Sequence, residues 1–335
     1  MGHHDEEAAR RDQRHPANRL GLDYRAAPRH KLPDCRLIDV HTHVRLGPST
    51  ALFFEAAKAY GVEKIVSMSP LDQVDELRAA YPGRLEFIAI PRWREFNTTP
   101  GFREQWLRDL ATFREKGARV MKLWMAPPMR GEHALTLEHE FLQPVIHEAL
   151  DLGYHFMVHV GDPSVWWQPG GKYADTAKYG TKREQYRQLE FLLETVAPRF
   201  VIGAHSGGYI EDPDFLQELL DRHPNYYLDS SATKWIVREV ARQPERVREF
   251  MIRNADRILF GTDLVIDDKY DFDHYASRYW THQMLWETPY RDESPIDDPD
   301  ADQPPRLVGL DLPAPALSRL YWENAAELGF RLAGA

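Results

Sequence analysis

The chain carries a single cysteine, Cys35, among 335 residues, so no intrachain disulfide can form. No stretch approaches the roughly 20 consecutive apolar residues that span a bilayer, and a membrane partner is not expected. Long lysine or arginine runs are also missing, and the formal net charge is -10 at pH 7. Nucleic acid, which is gripped through clustered cations, is therefore not an expected partner, and a small-molecule substrate is the better default. No Gly-x-Gly-x-x-Gly follows a candidate strand, and no Gly-x-x-x-x-Gly-Lys-Ser/Thr loop occurs, which argues against the two common nucleotide-phosphate cradles. The first thirty residues hold no apolar core of the secretory type, and Glu6 stands where myristoylation would need Ser or Thr. These absences lead us to expect a cytoplasmic protein. Residues 1–30 read as an N-terminal arm, mobile or strapped onto the barrel or a neighbouring subunit, ahead of a single domain over 31–335.

What is present is ample core material: 43% hydrophobic and 12% aromatic residues, beside an ordinary 28% of charged ones. Eight short runs rich in β-branched or aromatic residues recur at Arg36–Val44, Lys64–Ser69, Leu85–Trp93, Ala118–Trp124, His155–Gly161, Arg199–Gly207, Tyr226–Ala232 and Arg257–Leu264. Between them apolar residues repeat at helical spacing, as in Phe102, Trp106, Leu110 and Phe113, then Phe141, Val145, Ile146 and Ala149, then Leu189, Leu192, Leu193 and Val196. Gly117 and Gly153 each stand between a helix and a strand, where a left-handed residue ends the helix cheaply. Eight βα repeats predict an α/β fold of the (β/α)8 TIM barrel type rather than an open doubly wound sheet. Pro163–Arg183, after the fifth strand, and Asp267–Pro315, after the eighth, read as insertions, and a last helix is expected over about Pro315–Phe330.

The chemistry lies at strand ends. In Ile38-Asp39-Val40-His41-Thr42-His43 the two histidines are two residues apart and leave the same face of a strand, a chelating geometry for zinc, iron, nickel or manganese. His159, His205 and Asp263 fall at the ends of the fifth, sixth and eighth runs. Any one of them alone is more commonly a buried residue satisfied by hydrogen bonds. Four histidines and an aspartate at equivalent ends are harder to explain by packing, because burying so many polar groups without a shared ligand is costly. Arg92, Trp93, Arg94, Trp124, Trp166 and Trp167 fall at or just after strands three to five. They could line a pocket for a flat acid, which arginine grips through two hydrogen bonds, or simply pack. His133, His139, His147, His223, His274 and His282 show no ligand spacing and read as surface or packing residues.

Taken together, Ile-Asp-Val-His-Thr-His, Val120-Met121-Lys122-Leu123, Val158-His159-Val160-Gly161, Gly203-Ala204-His205-Ser206-Gly207-Gly208, Leu259-Phe260-Gly261-Thr262-Asp263 and Tyr321-Trp322-Glu323-Asn324-Ala325-Ala326 resemble the amidohydrolase superfamily. The similarity is to its second amidohydrolase-related branch, which includes aminocarboxymuconate-semialdehyde and resorcylate decarboxylases as well as hydrolases, and it spans about Leu37–Phe330. The resemblance implies a metal-dependent hydrolase type of barrel in which His41, His43, His159 and Asp263 ligate one divalent ion, zinc first, with manganese, iron or cobalt as alternatives. It also implies that His205 and Asp263 are catalytic. In two-metal relatives a lysine at the end of the fourth strand is carboxylated and bridges the ions. Lys122 has that location, but in the favoured branch such a lysine need not be carboxylated, and contact with a substrate carboxylate is the better reading, with the carboxylated bridge and a structural ion pair as alternatives. Arg92, Lys122, Trp124 and Trp167 are the expected substrate-binding residues. Barrels of this branch are often dimers, so a homodimer is an expected assembly.

Two reactions use this ligand set. One is hydrolysis of an ester, lactone or amide of a small carboxylated or cyclic substrate through a metal-bound water. The other is non-oxidative decarboxylation of an aromatic or enoic acid. A barrel that binds without catalysis is a third reading, with the complete predicted ligand set against it.

Overall fold

The computed structural model describes residues 15–301 and 304–330, so residues 1–14 of the expected arm lie outside the described residues. Each of the eight apolar runs overlaps a strand: β1 (Leu37–His43), β2 (Val62–Ser67), β3 (Leu85–Ala89), β4 (Val120–Trp124), β5 (His155–His159), β6 (Val201–Gly203) and β7 (Tyr226–Asp229). The eighth run is interrupted and yields two short strands, β8 (Ile258–Leu259) and β9 (Leu264–Val265). Neighbours are parallel in the order β8-β7-β6-β5-β4-β3-β2-β1-β9. Since β8 pairs with β7 while β9 pairs with β1, the two halves of one run close the ring. The gap between them is bridged by the Val40 N–H donating to Phe260 C=O (2.9 Å) and the Asp263 N–H donating to His41 C=O (2.7 Å). The architecture is a (β/α)8 barrel.

Its core has two layers. Inside the ring, Ile38, Val40, Val66, Ile88, Val120, Met157, Ile202 and Leu259 are buried against one another, the branched filling usual for such barrels. The opposite faces of the strands pack on the helices. Phe102, Trp106, Leu110 and Phe113 are all buried on the helix Pro100–Glu115, whose first turn is capped by the Thr99 hydroxyl accepting from Phe102 N–H. Each such side chain contributes about 1.5–3 kcal/mol on burial. The helix Lys182–Val196 opens with a reciprocal capping box between Thr181 and Glu184 and buries Leu189, Leu192, Leu193 and Val196. Gly117 (φ +88°) and Gly153 (φ +78°) are left-handed, as their positions after helices require.

The stretch expected to be an insertion after the eighth strand is instead largely a wall of the barrel. It contains the 16-residue helix Phe272–Glu287, in which 13 residues are buried. The helix shows no amphipathic stripe because it is covered on both sides. Phe53, on the helix Thr50–Ala59, meets Tyr275 from within. From outside, Tyr24 packs edge-on against Trp280, and Asn18 Nδ2 donates to Asp273 Oδ2 at 2.8 Å. Residues 15–30 thus lie along this helix. Beyond it a hairpin, β10 (Arg291–Glu293) and β11 (Arg306–Val308), leads to the terminal helical segment. There Ala314–Ser318 and Asn324–Glu327 are joined by a π-helical turn over Arg319–Glu323, and Leu320 C=O accepts from Phe260 N–H at 2.9 Å. The wider turn frees a carbonyl for the barrel's eighth strand. Among the described residues no helix is long and apolar enough to cross a membrane.

Candidate functional site

Strand alternation places most of the site. Val120 faces the barrel interior, so Lys122 and Trp124 follow it on the same face. Met157 does the same for His159. β1 needs one further device. Asp39 and Thr42, three apart, pair with Ile65 and Ser67, two apart. This extra residue is a bulge that shifts the alternation by one, turning His41 and His43 into the barrel mouth above Ile38 and Val40.

The turns after β6 and β8 are left-handed. His205, Ser206, Gly207 and Gly208 have φ values of 59°, 53°, 65° and 72°, and Asp263 has φ 60°. Non-glycine residues held there cost roughly 1–3 kcal/mol each, and such conformations cluster at functional sites. The glycines leave no room for a side chain: a Cβ on Gly207 would come within 2.7 Å of the Tyr226 hydroxyl, and one on Gly208 would collide with the Gly161 carbonyl.

Around Asp263 the groups converge. His41 Nε2 lies 3.2 Å and His43 Nε2 3.1 Å from Asp263 Oδ1, and His205 Nε2 lies 4.0 Å from Asp263 Oδ2. One donor atom each from His41, His43 and Asp263 lies within 4.8 Å of the other two. Ligand atoms at about 2.0–2.1 Å from one ion stand about 3.3 Å apart in a tetrahedron and about 2.9 Å apart in an octahedron. The observed separations fall between these edges, so the three residues fit a single small divalent ion. His41 is prepared for that role because its Nδ1 lies 2.7 Å from Asp229 Oδ2, a carboxylate that holds the proton of the neutral ring on Nδ1 and leaves Nε2 free to ligate. His205 is held by Ser231, whose Oγ lies 2.8 Å from His205 Nδ1, while the His205 backbone N–H donates to Asp229 Oδ1 at 2.9 Å. His159 stands in the same cavity, but its Nε2 is hydrogen-bonded to Asp162 Oδ1 at 2.8 Å rather than joined to the Asp263 group.

Burial and charge oppose each other here. Burial and Lys122 disfavour protonation of His41, but Asp229 and Asp263 outweigh them and its pKa rises. Burial lowers the pKa of His43, and burial followed by the neighbouring His159 holds His205 well below the ordinary range. Burial would raise the Asp263 carboxyl, yet His41, His43 and His205 hold it well below the usual carboxylate value. Lys122 is buried, its Nζ has no hydrogen-bond partner, and burial draws its pKa down to about 8 against the pull of Asp229 and Asp263.

These residues line a cavity of about 410 Å³ together with Met68, Trp93, Trp124 and Trp235. Arg92 and Trp167 are not brought to its wall. The Arg92 guanidinium is held by Asp109 (2.8 and 3.1 Å), and Trp167 Nε1 donates to Gly180 C=O at 2.9 Å. Sequence reasoning missed Asp229 and Ser231, although both stand at the end of the seventh run, where the same strand-end rule applies. Trp235, whose ring lies 5.2 Å from that of His205, carried no signal.

A family model described as Amidohydrolase matches residues 49–328. The match begins after β1, so His41 and His43 stand on the geometry above. Among solved structures, the chain is similar to a protein of Pseudomonas putida assigned as a 2-pyrone-4,6-dicarboxylic acid hydrolase, with 17% identity, TM-score 0.50, and coverage of 89% of this chain and 99% of that one. A protein of Acinetobacter baumannii with the same assignment and citric acid bound gives 14% identity, TM-score 0.51, and coverage of 88% and 98%. At such identities the likeness is one of fold. No curated protein sequence matches the chain.

Proposed function

Because the chain belongs to the amidohydrolase family, we propose that it is a metal-dependent hydrolase that cleaves a small, carboxylated or cyclic ester, lactone or amide. The observation that carries this reading is the convergence of His41, His43 and Asp263 donor atoms within 4.8 Å at the wall of a 410 Å³ cavity. One divalent ion, zinc first and manganese, iron or cobalt otherwise, would be held by these residues, with His159 as a fourth ligand once released from Asp162. Bound there, the ion supplies Lewis-acid polarisation and ionises water near neutral pH.

The chain's own groups do the rest. Asp263 is kept ionised by the histidines around it, so its free oxygen accepts a proton from the attacking water and passes it to the leaving group. His205, with Nδ1 on Ser231, presents Nε2 to the cavity and orients the water or the substrate oxygen. Lys122, buried and unpartnered, pairs with a substrate carboxylate, and Trp124 supplies an apolar wall. The test is metal content by elemental analysis of the parent and of Asp263→Ala, with turnover on a panel of lactones, esters, amides and aromatic acids. About one equivalent lost in the variant, and consumption of water on turnover, are expected. His205→Ala should retain metal and lose most turnover. Carbon dioxide release without water consumption would refute hydrolysis in favour of decarboxylation. Two equivalents would make Lys122 a carboxylated bridge.

A further inference from the structure

Beside the metal cavity lies a second one of about 300 Å³, and the two share Trp235 and Asp263 as common walls. Lys234, in the first turn of the helix Thr233–Val240, and Arg278, on the helix Phe272–Glu287, both face it. Among the described residues neither cation has an ion-pair partner. Arg278 donates from one terminal nitrogen, Nη1, to His274 C=O and the Ser277 hydroxyl, both at 3.0 Å, and among the described residues its remaining guanidinium donors meet no carboxylate. The acids whose charge acts on Lys234 are already engaged: Asp297 with Arg19, Asp298 with Arg238, and Asp300 with Lys172 and Trp166. Burial draws Arg278 down to about 10, so it remains charged at neutral pH, while burial keeps the neighbouring His274 uncharged. Carboxylates act on both cations only from beyond ion-pair contact, and half-buried cations so placed are expensive to keep in a folded protein unless an anion arrives to pair with them.

We propose that this second cavity is an anion subsite in which Lys234 and Arg278 hold a carboxylate of the substrate, set back from the bond that reacts on the other side of Trp235. The inference deepens the hydrolase reading and rests on it for the identity of the reacting end. A monoanionic carboxylate suits the site better than a phosphate dianion. The guanidinium fork can grip two oxygens of either group, but Asp263, on the shared wall, would repel the doubly charged phosphate more strongly. The substrate class that follows is an acid bearing a carboxylate away from its ester, lactone or amide group.

The probe is glutarate, titrated calorimetrically into the full chain after removal of metal, with dimethyl glutarate and inorganic phosphate as comparison ligands. Glutarate should bind, dimethyl glutarate should not, and phosphate should bind more weakly than glutarate. Lys234→Gln and Arg278→Gln should each weaken glutarate binding at least tenfold. Should Arg278→Gln fail to fold, Lys234→Gln decides, since Lys234 stands in the first turn of its helix and is only half-buried. Unchanged affinity in the folded variants, no binding to the parent, or tighter binding of phosphate than of glutarate overturns the subsite. The titration requires neither metal nor turnover. A chain that binds glutarate through these residues yet hydrolyses nothing therefore keeps the subsite and refutes the hydrolase reading alone.

Discussion

Asp229→Asn isolates how far one buried carboxylate prepares the candidate metal centre. Asp229 is fully buried at the end of β7 and accepts on both oxygens: Oδ2 from His41 Nδ1 at 2.7 Å, Oδ1 from the backbone N–H groups of His205 (2.9 Å) and Ser231 (3.0 Å). Asparagine is nearly isosteric but has only one accepting oxygen. If that oxygen stays with the two backbone donors, the amide NH2 faces His41 Nδ1, which must then accept. The ring proton moves to Nε2, the atom 3.2 Å from Asp263 Oδ1, and a protonated nitrogen cannot ligate. Loss of such an outer partner costs about 10–100-fold in metal affinity, or about 1.4–2.7 kcal/mol. Competition for zinc against a chromogenic chelator measures this directly, with Ser231→Ala as the comparison because it leaves the Asp229–His41 contact in place. An Asp229→Asn affinity within twofold of the parent, in a protein that still unfolds cooperatively, would refute the reasoning.

Arg92→Ala should leave metal content and turnover unchanged within about twofold while lowering stability by about 1–2 kcal/mol, because buried Asp109 loses its bidentate partner and keeps only Gln105; chemical denaturation and a kinetic assay separate the two effects. Gly208→Ala should destabilise by about 2–3 kcal/mol and abolish turnover, since the new methyl meets the Gly161 carbonyl and the turn that presents His205 must shift; a parent-like melting midpoint would count against that geometry. Stability should fall on acidification through His155. Burial lowers its pKa to about 4, with Arg199 and Arg119 adding to the effect, and its Nδ1 accepts from Phe200 N–H. At neutral pH the ring is uncharged in folded and unfolded chains alike. Below about 6.5 the unfolded chain takes a proton that the folded chain refuses until about pH 4, so denaturation midpoints should drop across that window, and less so in His155→Asn.

Much of the barrel could be read in the sequence because parallel strands buried on both faces appear as near-continuous apolar runs, and each of the eight runs overlaps a strand. The polar residues ending those runs drew attention to His159, His205 and Asp263 for the same reason. The β1 bulge was not legible, since an extra residue in a ladder leaves no mark on composition, yet it is what aims His41 and His43. The helix Phe272–Glu287 was read only as part of an insertion because a helix covered on both sides carries no apolar stripe. Arg92 has the right strand end but the wrong partner: Asp109, seventeen positions later, claims its guanidinium, and only the folded chain brings them together.

The interrupted eighth strand gives the site a schedule. His43 and Asp263 are 220 positions apart in the chain, and they meet across the seam where the ring closes. During synthesis the two histidines emerge early, but the carboxylate that completes the trio appears only after seven of the eight runs have been made. An interrupted chain would therefore hold two histidines and no complete trio, and metal captured by the trio would report a finished barrel. An ion bound there would act as a clasp on that closure, tightening the seam in proportion to the logarithm of its free concentration over its dissociation constant. When metal is scarce, the seam between β1 and β9 is where the ring should begin to open.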